Sequence, residues 1–313
     1  MPNVILTIIK GCQDMRTNSQ SRTAEGAAAM RAEHLIYDSP LVFDDPYAIE
    51  LLSYPWRRAC KNPALHWLLF KKIMGPLRPI QGQVLARSRF SEEKLKLAFA
   101  QGIDQCVIVG AGLDTLALRT RDWEEKGQGE NQKLRIYELD HPATQEAKIK
   151  KLNRLKTGAL KNLEFVSVDF ERQSLAEGLK QSSFDSAKPA FFIWLGVTPY
   201  LTEEAIFNTV KSIASTSAKG SELVFDYGVN GKHLSKKDVG KLKTLKFYTS
   251  RLSEPLIEND FDPVKFPADV EKLGFQLLEN MSPEQQNQCF FNNRSDNLRS
   301  TSGSYFAHFR RLP

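Results

Sequence analysis

An apolar run that breaks abruptly on glycine constrains this chain more than any other stretch. Residues Gln105 to Arg119 read QCVIVGAGLDTLALR. Cys106 to Val109 show no polar alternation, the pattern of a strand buried on both faces. Gly110 and Gly112 follow at once, and a backbone without Cβ turns tightly and lets a ligand approach the main chain. Asp114 and Thr115 are helix-capping types, so the spacing predicts a helix over Asp114–Trp123. Strand, glycine turn and helix in that order open a nucleotide-binding α/β unit whose ligand lies over the turn.

The turn leaves two ligand classes. A dinucleotide fingerprint G-x-G-x-x-G brings a pyrophosphate onto the helix N-terminus. Here Thr115 stands in place of the third glycine, and Asp114 precedes it. A carboxylate there is a poor neighbour for a pyrophosphate. It suits a ligand with positive charge, such as the sulfonium or ammonium of S-adenosylmethionine.

Beyond this unit, apolar strands alternate with helical segments, as in a parallel sheet. Strands are expected at Leu134–Asp140, Leu163–Val168, Ala190–Leu195 and Ser221–Asp226. The intervening helices fall at Pro142–Lys156, Ser174–Lys180 and Thr202–Ala214. Phe275–Leu278 and Ser304–Arg310 read as two late strands able to pair antiparallel. The N-terminal third is helical instead, with segments at Ala24–Tyr37, Tyr47–Leu52, Asn62–Met74 and Val84–Gly102. Residues 1–23 read as a mobile lead-in.

Composition narrows the function. With 43 Lys and Arg against 37 Asp and Glu, the net charge of +6 is mildly basic. The lysine-rich stretch Asn230–Ser250 interleaves Lys232, Lys236, Lys237, Lys241, Lys243 and Lys246 with Leu234, Val239, Leu242 and Leu245. It reads as an amphipathic helix with a solvated basic face; an RNA- or phosphate-contacting surface is the lesser alternative, with no aromatic interleaving to support it. No apolar run approaches the length of a membrane span, and Val4–Ile9 lacks the flanks of a signal peptide. The histidines and the four cysteines show no metal-ligand or C-x-x-C spacing. Reduced thiols in the cytoplasm are therefore expected.

The expected strand ends carry the chemistry. Glu138 and Asp140 lie two apart on one side of the second strand, with Asp140 at its tip. A carboxylate there can accept both ribose hydroxyls of an adenosine, of NAD as well as of S-adenosylmethionine. Asp169 and Phe170 close the third strand, where the side chain and the next N–H can read an adenine edge.

These residues lie within a larger pattern: Asp44-Asp45-Pro46-Tyr47-Ala48, Ala86-Arg87-Ser88-Arg89-Phe90, Val109 to Thr115, Tyr137 to Pro142, Val168-Asp169-Phe170 and Trp194 to Leu201. Together they resemble the leucine carboxyl methyltransferase family, which includes polyketide O-methyltransferases. The resemblance runs from about Ala24 to Arg310. It implies a class I methyltransferase fold: an α/β, Rossmann-like seven-stranded sheet with its last strand antiparallel, under a helical N-terminal cap. Residues 24–313 would form one domain, with the cap at 24–102, the core at 103–313 and a lid insertion near 230–266. The cofactor implied is S-adenosyl-L-methionine. Its methionine moiety would lie at Gly110 and Gly112, its ribose on Asp140, its adenine on Asp169 and Phe170, and its carboxylate on Arg87. A bidentate guanidinium–carboxylate pair fits that last task; Arg31 matches a second basic contact more loosely. One departure stands out. Many members carry a glutamate before the glycine of the W-x-G-V-T-x-Y-L motif, reaching the cofactor's ammonium, and here that residue is Leu195. A backbone carbonyl near Gly110 or the side chain of Asp114 can serve instead.

Methyl transfer from a sulfonium is an in-line displacement, so alignment and desolvation dominate. A carboxylate acceptor needs no base at neutral pH, whereas a phenol does. Tyr200, just past the fourth strand, is the candidate to line the acceptor pocket. Met30, Phe90, Phe247 and Tyr248 are expected as its walls. The expected activity is O-methylation of a small-molecule carboxylate or phenol, with no nucleic-acid or membrane partner. An NAD-dependent oxidoreductase and a non-catalytic cofactor-binding protein are the alternatives.

Overall fold

A computed structural model describes residues 22–120, 133–155, 158, 160–170, 172–229, 232, 234, 239–240, 257, 259 and 261–313. The apolar run forms β1 (Gln105–Val109). Six further strands join it: β2 (Arg135–Asp140), β3 (Leu163–Ser167), β4 (Phe191–Trp194), β5 (Glu222–Gly228), β6 (Phe275–Met281) and β7 (Ser304–Arg311). They make one sheet in the order β3-β2-β1-β4-β5-β7-β6. β1 to β5 run parallel, and β7 lies antiparallel between β5 and β6. Strand order reverses between β1 and β4, and the crevice for a ligand opens above their carboxyl ends.

The missing alternation in β1 follows from cover on both faces. Val107 and Val109 enter a core with Phe192, Trp194 and Phe225. Cys106 and Ile108 enter the opposite core with Phe191, Ile193 and Val224. The first core is rich in aromatics. Phe225 lies 5.7 Å from Phe309 in a stack and meets the edge of Phe266 at 6.0 Å. Burial also pushes the Cys106 thiol far above its ordinary titration range.

Among the described residues, the α-helices before the sheet are α1 (Arg22–Tyr37), α2 (Tyr54–Lys61), α3 (Pro63–His66, continued by a π-helical turn over Trp67–Ile73) and α4 (Arg78–Ala100). α3 begins where the sequence suggests, with Asn62 accepting from the Leu65 N–H at 3.0 Å. Its wider second half keeps Phe70 inward, against His66 and Trp56. α4 starts earlier than the expected Val84, because its two apparent breakers are accommodated. Pro79 sits in the first turn, where no N–H is required. Gly82 passes so close to the Arg299 carbonyl that a Cβ would not fit.

Later α-helices among the described residues are α5 (Leu116–Arg119), α6 (Pro142–Leu152), α7 (Leu175–Lys180), α8 (Glu203–Thr216), α9 (Lys265–Glu271) and α10 (Pro283–Phe290). α5 begins two residues later than expected, because Asp114 Oδ1 accepts the Leu116 N–H at 2.6 Å in a turn that precedes the helix. α10 is absent from the sequence reading, although Ser282 and Gln285 form a reciprocal capping box that signals it. α2 and α9 are likewise additions. Most of the basic stretch 230–250, with Phe247 and Tyr248, lies outside the described residues; Leu234 packs over Gly303 against the core. Among the described residues, no helix is long and apolar enough to cross a membrane.

Truncating Phe225 to alanine removes the ring on which four aromatic neighbours converge. Urea denaturation of Phe225→Ala is expected to show a loss of about 3–5 kcal/mol.

Candidate active site

Two glycine turns interlock at the switch point. Gly110 takes φ +70°, and Gly196, just past β4, takes φ +71°, conformations that favour glycine. The N–H groups of Gly110 and Ala111 both donate to the Leu139 carbonyl, at 2.8 and 3.1 Å. A Cβ on Gly110 would stand 2.6 Å from Val197 Cγ2, and one on Gly196 would collide with the Arg87 guanidinium. Arg87, carried on α4, therefore lies over the β4 turn beside the β1 turn. Its Nη1 donates to Asp226 Oδ2 on β5 at 2.9 Å.

Asp140 ends β2 and reaches across to the glycine turn. Its Oδ2 accepts the Gly112 N–H at 2.5 Å, and its Oδ1 accepts the His141 N–H at 2.7 Å. Burial pushes its carboxyl up, against the pull of those two bonds. Asp169 lies two residues beyond β3, with a carboxylate oxygen 3.5 Å from Arg172 Nε. Phe170 beside it leaves 45% of its surface exposed, unusual for so large an apolar side chain. Arg87, Gly110, Gly112, Asp140, Asp169 and Phe170 thus lie in the turns along one edge of the sheet, or over them.

Two acidic residues of the motifs already hold partners within the protein. Asp114 Oδ1 accepts the Leu116 N–H at the start of α5. Glu138 is buried and pairs with the equally buried Lys148 of α6 at 2.5 Å. Burial holds its carboxyl at about 7, with Lys148 opposing the rise. Alternation along a strand does place Glu138 and Asp140 on one side, but α6 covers that side at Glu138 and leaves it at Asp140.

A buried ion cluster beneath the β1 turn was not foreseen as a unit. Asp45, fully buried, accepts from Arg31 Nε at 2.8 Å and from Thr115 Oγ1 at 2.6 Å, while Arg119 Nη1 approaches it to 3.3 Å. Arg119 also donates to Glu92 and to Thr115 Oγ1, and Arg31 Nη2 donates to the Leu113 carbonyl at 2.8 Å. Burial alone would raise the Asp45 carboxyl; Arg119, Arg31 and the Thr115 hydroxyl overcome it and hold the group below its ordinary value. Burial likewise opposes the charge on Arg119, and Glu92 and Asp45 reverse that, raising its basicity. The available signal was the pairing of one acidic motif, Asp44-Asp45-Pro46, with basic residues of α1 and α5. Their convergence needs the tertiary fold.

Tyr200 ends a short 3₁₀ turn, Thr198–Tyr200, after β4. Two later residues bond to this turn: the Ile257 N–H donates to the Pro199 carbonyl at 2.8 Å, and Asn259 Nδ2 donates to the Leu201 carbonyl at 2.9 Å. Leu195 packs into the same core as Ile193. Phe90 is not a pocket wall: it is 1% exposed and packs on Phe306 in the core, because α4 turns that face onto the sheet.

Removing the Asp45 charge leaves Arg31 and Arg119 facing each other in a buried site. Chemical denaturation of Asp45→Asn is expected to show a loss of about 3–5 kcal/mol, with weakened S-adenosylhomocysteine binding as the β1 turn loosens.

Comparison with known proteins identifies the family. A family model described as leucine carboxyl methyltransferase matches residues 24–214. YktD of Bacillus subtilis, provisionally described as an S-adenosyl-L-methionine-dependent methyltransferase, is 30% identical over 309 residues, covering 94% of this chain and 99% of its own. A similarly described protein of Mycolicibacterium smegmatis is 32% identical over 215 residues, 68% of each chain. Among solved structures, a DUF574 family protein from Streptomyces avermitilis superposes with a TM-score of 0.57 at 13% identity, covering 91% of this chain and 97% of that one. A protein from Thermobifida fusca, described provisionally as a methyltransferase, gives 0.56 at 14% identity, over 97% and 98%. These two show a shared fold. The chain is an S-adenosyl-L-methionine-dependent methyltransferase and belongs to the leucine carboxyl methyltransferase family.

Proposed function

We propose that this methyltransferase transfers its methyl group to an oxygen of a small molecule, a carboxylate first and a phenol second. One observation favours the carboxylate. Among the described residues, the histidines are committed elsewhere: His34 to Asp38 at 2.7 Å, His66 to Glu33 at 2.8 Å and His308 to Glu222 at 2.8 Å, while His141 caps α6. With these four histidines held by other partners, an acceptor that is already ionised at neutral pH, and so needs no imidazole base, is favoured.

In this reading the cofactor lies along the sheet edge. Asp140 accepts from the ribose hydroxyls with the lone pairs that Gly112 and His141 leave, and that anchoring fixes the carboxylate before the ligand arrives. Phe170 offers its exposed face to the adenine, and Asp169 its carboxylate to the exocyclic amine. Arg87 takes the methionine carboxylate above Gly110 and Gly112. Asp114, held at the start of α5, contributes its charge to the ammonium end across the turn. Bound this way, the sulfonium methyl faces the β4 turn, where Tyr200 lines the acceptor side. Catalysis is then alignment and exclusion of water, since the thioether leaves without a proton.

Incubation with tritiated S-adenosylmethionine across carboxylic acids, phenols and aromatic polyketide-like compounds tests this. A carboxylate acceptor yields an ester whose label is released as methanol by mild alkali; an aryl ether keeps it. Label found only on nitrogen or carbon would sink the proposal. Binding without transfer to any acceptor would point to a non-catalytic protein. Asp140→Ala is expected to weaken S-adenosylhomocysteine about 10- to 100-fold by calorimetry. Phe170→Ala is expected to cost about 1–3 kcal/mol of binding and to leave the melting temperature unchanged.

A further inference from the structure

We propose that Asp226 is a positioning residue for cofactor binding, organising the β4 turn and Arg87 from β5. The inference rests on the reading in which Arg87 holds the methionine carboxylate.

Asp226 is 1% exposed, and both of its carboxylate oxygens face the site. Oδ1 accepts the Gly196 N–H at 2.6 Å, the turn residue over which the guanidinium lies. Oδ2 accepts from Arg87 Nη1 at 2.9 Å and from Gln83 Nε2 at 3.4 Å. Its backbone carbonyl accepts from Thr198 Oγ1 at 2.6 Å. One strand residue therefore ties down the turn at Gly196, the residue after next, Thr198, and the arginine above them. Gln83 is itself fixed, donating to Ser304 Oγ at 2.6 Å and accepting from Thr301 Oγ1 at 3.2 Å. Arg87 thus sits in a pre-set frame built from α4, β5 and β7.

The frame matters because an unrestrained arginine loses rotamer entropy when it clamps a ligand. Asp226 takes one of the five guanidinium N–H donors. It removes that entropy loss from the binding step and leaves donors of the fork for a ligand carboxylate. It also places a negative charge at the end of the cofactor that carries the ammonium, on the strand beside β4. A glutamate at position 195 would act from β4 itself; Leu195 instead packs into the core with Ile193.

The test compares S-adenosylhomocysteine with 5′-methylthioadenosine, which keeps the adenosine and lacks the amino-acid end. Calorimetry is run on the wild type, Asp226→Asn, Arg87→Ala and the double variant. Asp226→Asn keeps the shape and an acceptor for the Gly196 N–H but loses the ion pair. It is expected to weaken S-adenosylhomocysteine about 10- to 100-fold and to leave methylthioadenosine unchanged, which also reports an intact fold. Adding Asp226→Asn to Arg87→Ala is expected to cost little more. Equal weakening of both ligands, or additive losses in the double variant, overturns the positioning role. If Arg87→Ala selectively weakens S-adenosylhomocysteine but Asp226→Asn does not, the inference alone fails. If Arg87→Ala leaves S-adenosylhomocysteine untouched, the assignment of Arg87 fails and takes this inference with it.

Discussion

The buried carboxylate of Asp45 is the constraint on which the remaining architecture turns. It lies at the junction of the helical cap and the first turn of the sheet, and it holds groups from both: Arg31 from α1, Thr115 and Arg119 from the β1–α5 unit. A charge in such a place is costly unless paired and hydrogen-bonded on every side. Here the arginines and the hydroxyl meet that condition, and the group stays ionised. The cap is therefore joined to the sheet by a directional contact as well as by apolar packing. Hydrophobic burial alone would let it slide; the ion cluster fixes where α1 crosses the glycine turn, with Ala24 against Gly112.

The same logic recurs at each tip of the sheet. Asp140 is anchored by the Gly112 and His141 N–H groups, and Asp226 by Gly196 and Arg87. In both places a carboxylate on one strand organises the turn after its neighbour. This is preorganisation in the ordinary electrostatic sense: dipoles and charges are set during folding, so binding need not reorient them. Glu138 shows the opposite case. It is as acidic in sequence as Asp140, yet α6 covers it and Lys148 neutralises it, so it supports the strand from below.

Sequence reasoning succeeded where periodicity and turn chemistry act locally. The strands and the order of glycine turns were readable because a parallel strand covered on both faces is largely apolar, and β1 ends where glycine lets the backbone bend. It faltered where one helix compensates for another's irregularity. α4 runs through Pro79 and Gly82 because the first turn and the Arg299 carbonyl accommodate them. Phe90 belongs to the core, and only the docking of α4 decides which of its faces meets the sheet.

What the residues determined alone was the class of structure and the way its strands run into turns: an apolar strand ending in glycine, a second strand ending in Asp140, a third followed closely by Asp169 and Phe170. These follow from steric and solvation rules that act within a few residues. Only the tertiary structure decided which charges meet. Asp45 with Arg31 and Arg119, and Asp226 with Arg87, are separated by 14 to 139 residues. No local pattern records such partners, because their meeting is fixed by how the cap and the sheet pack, and a buried charge is tolerated only once that packing has brought its counter-ion within reach.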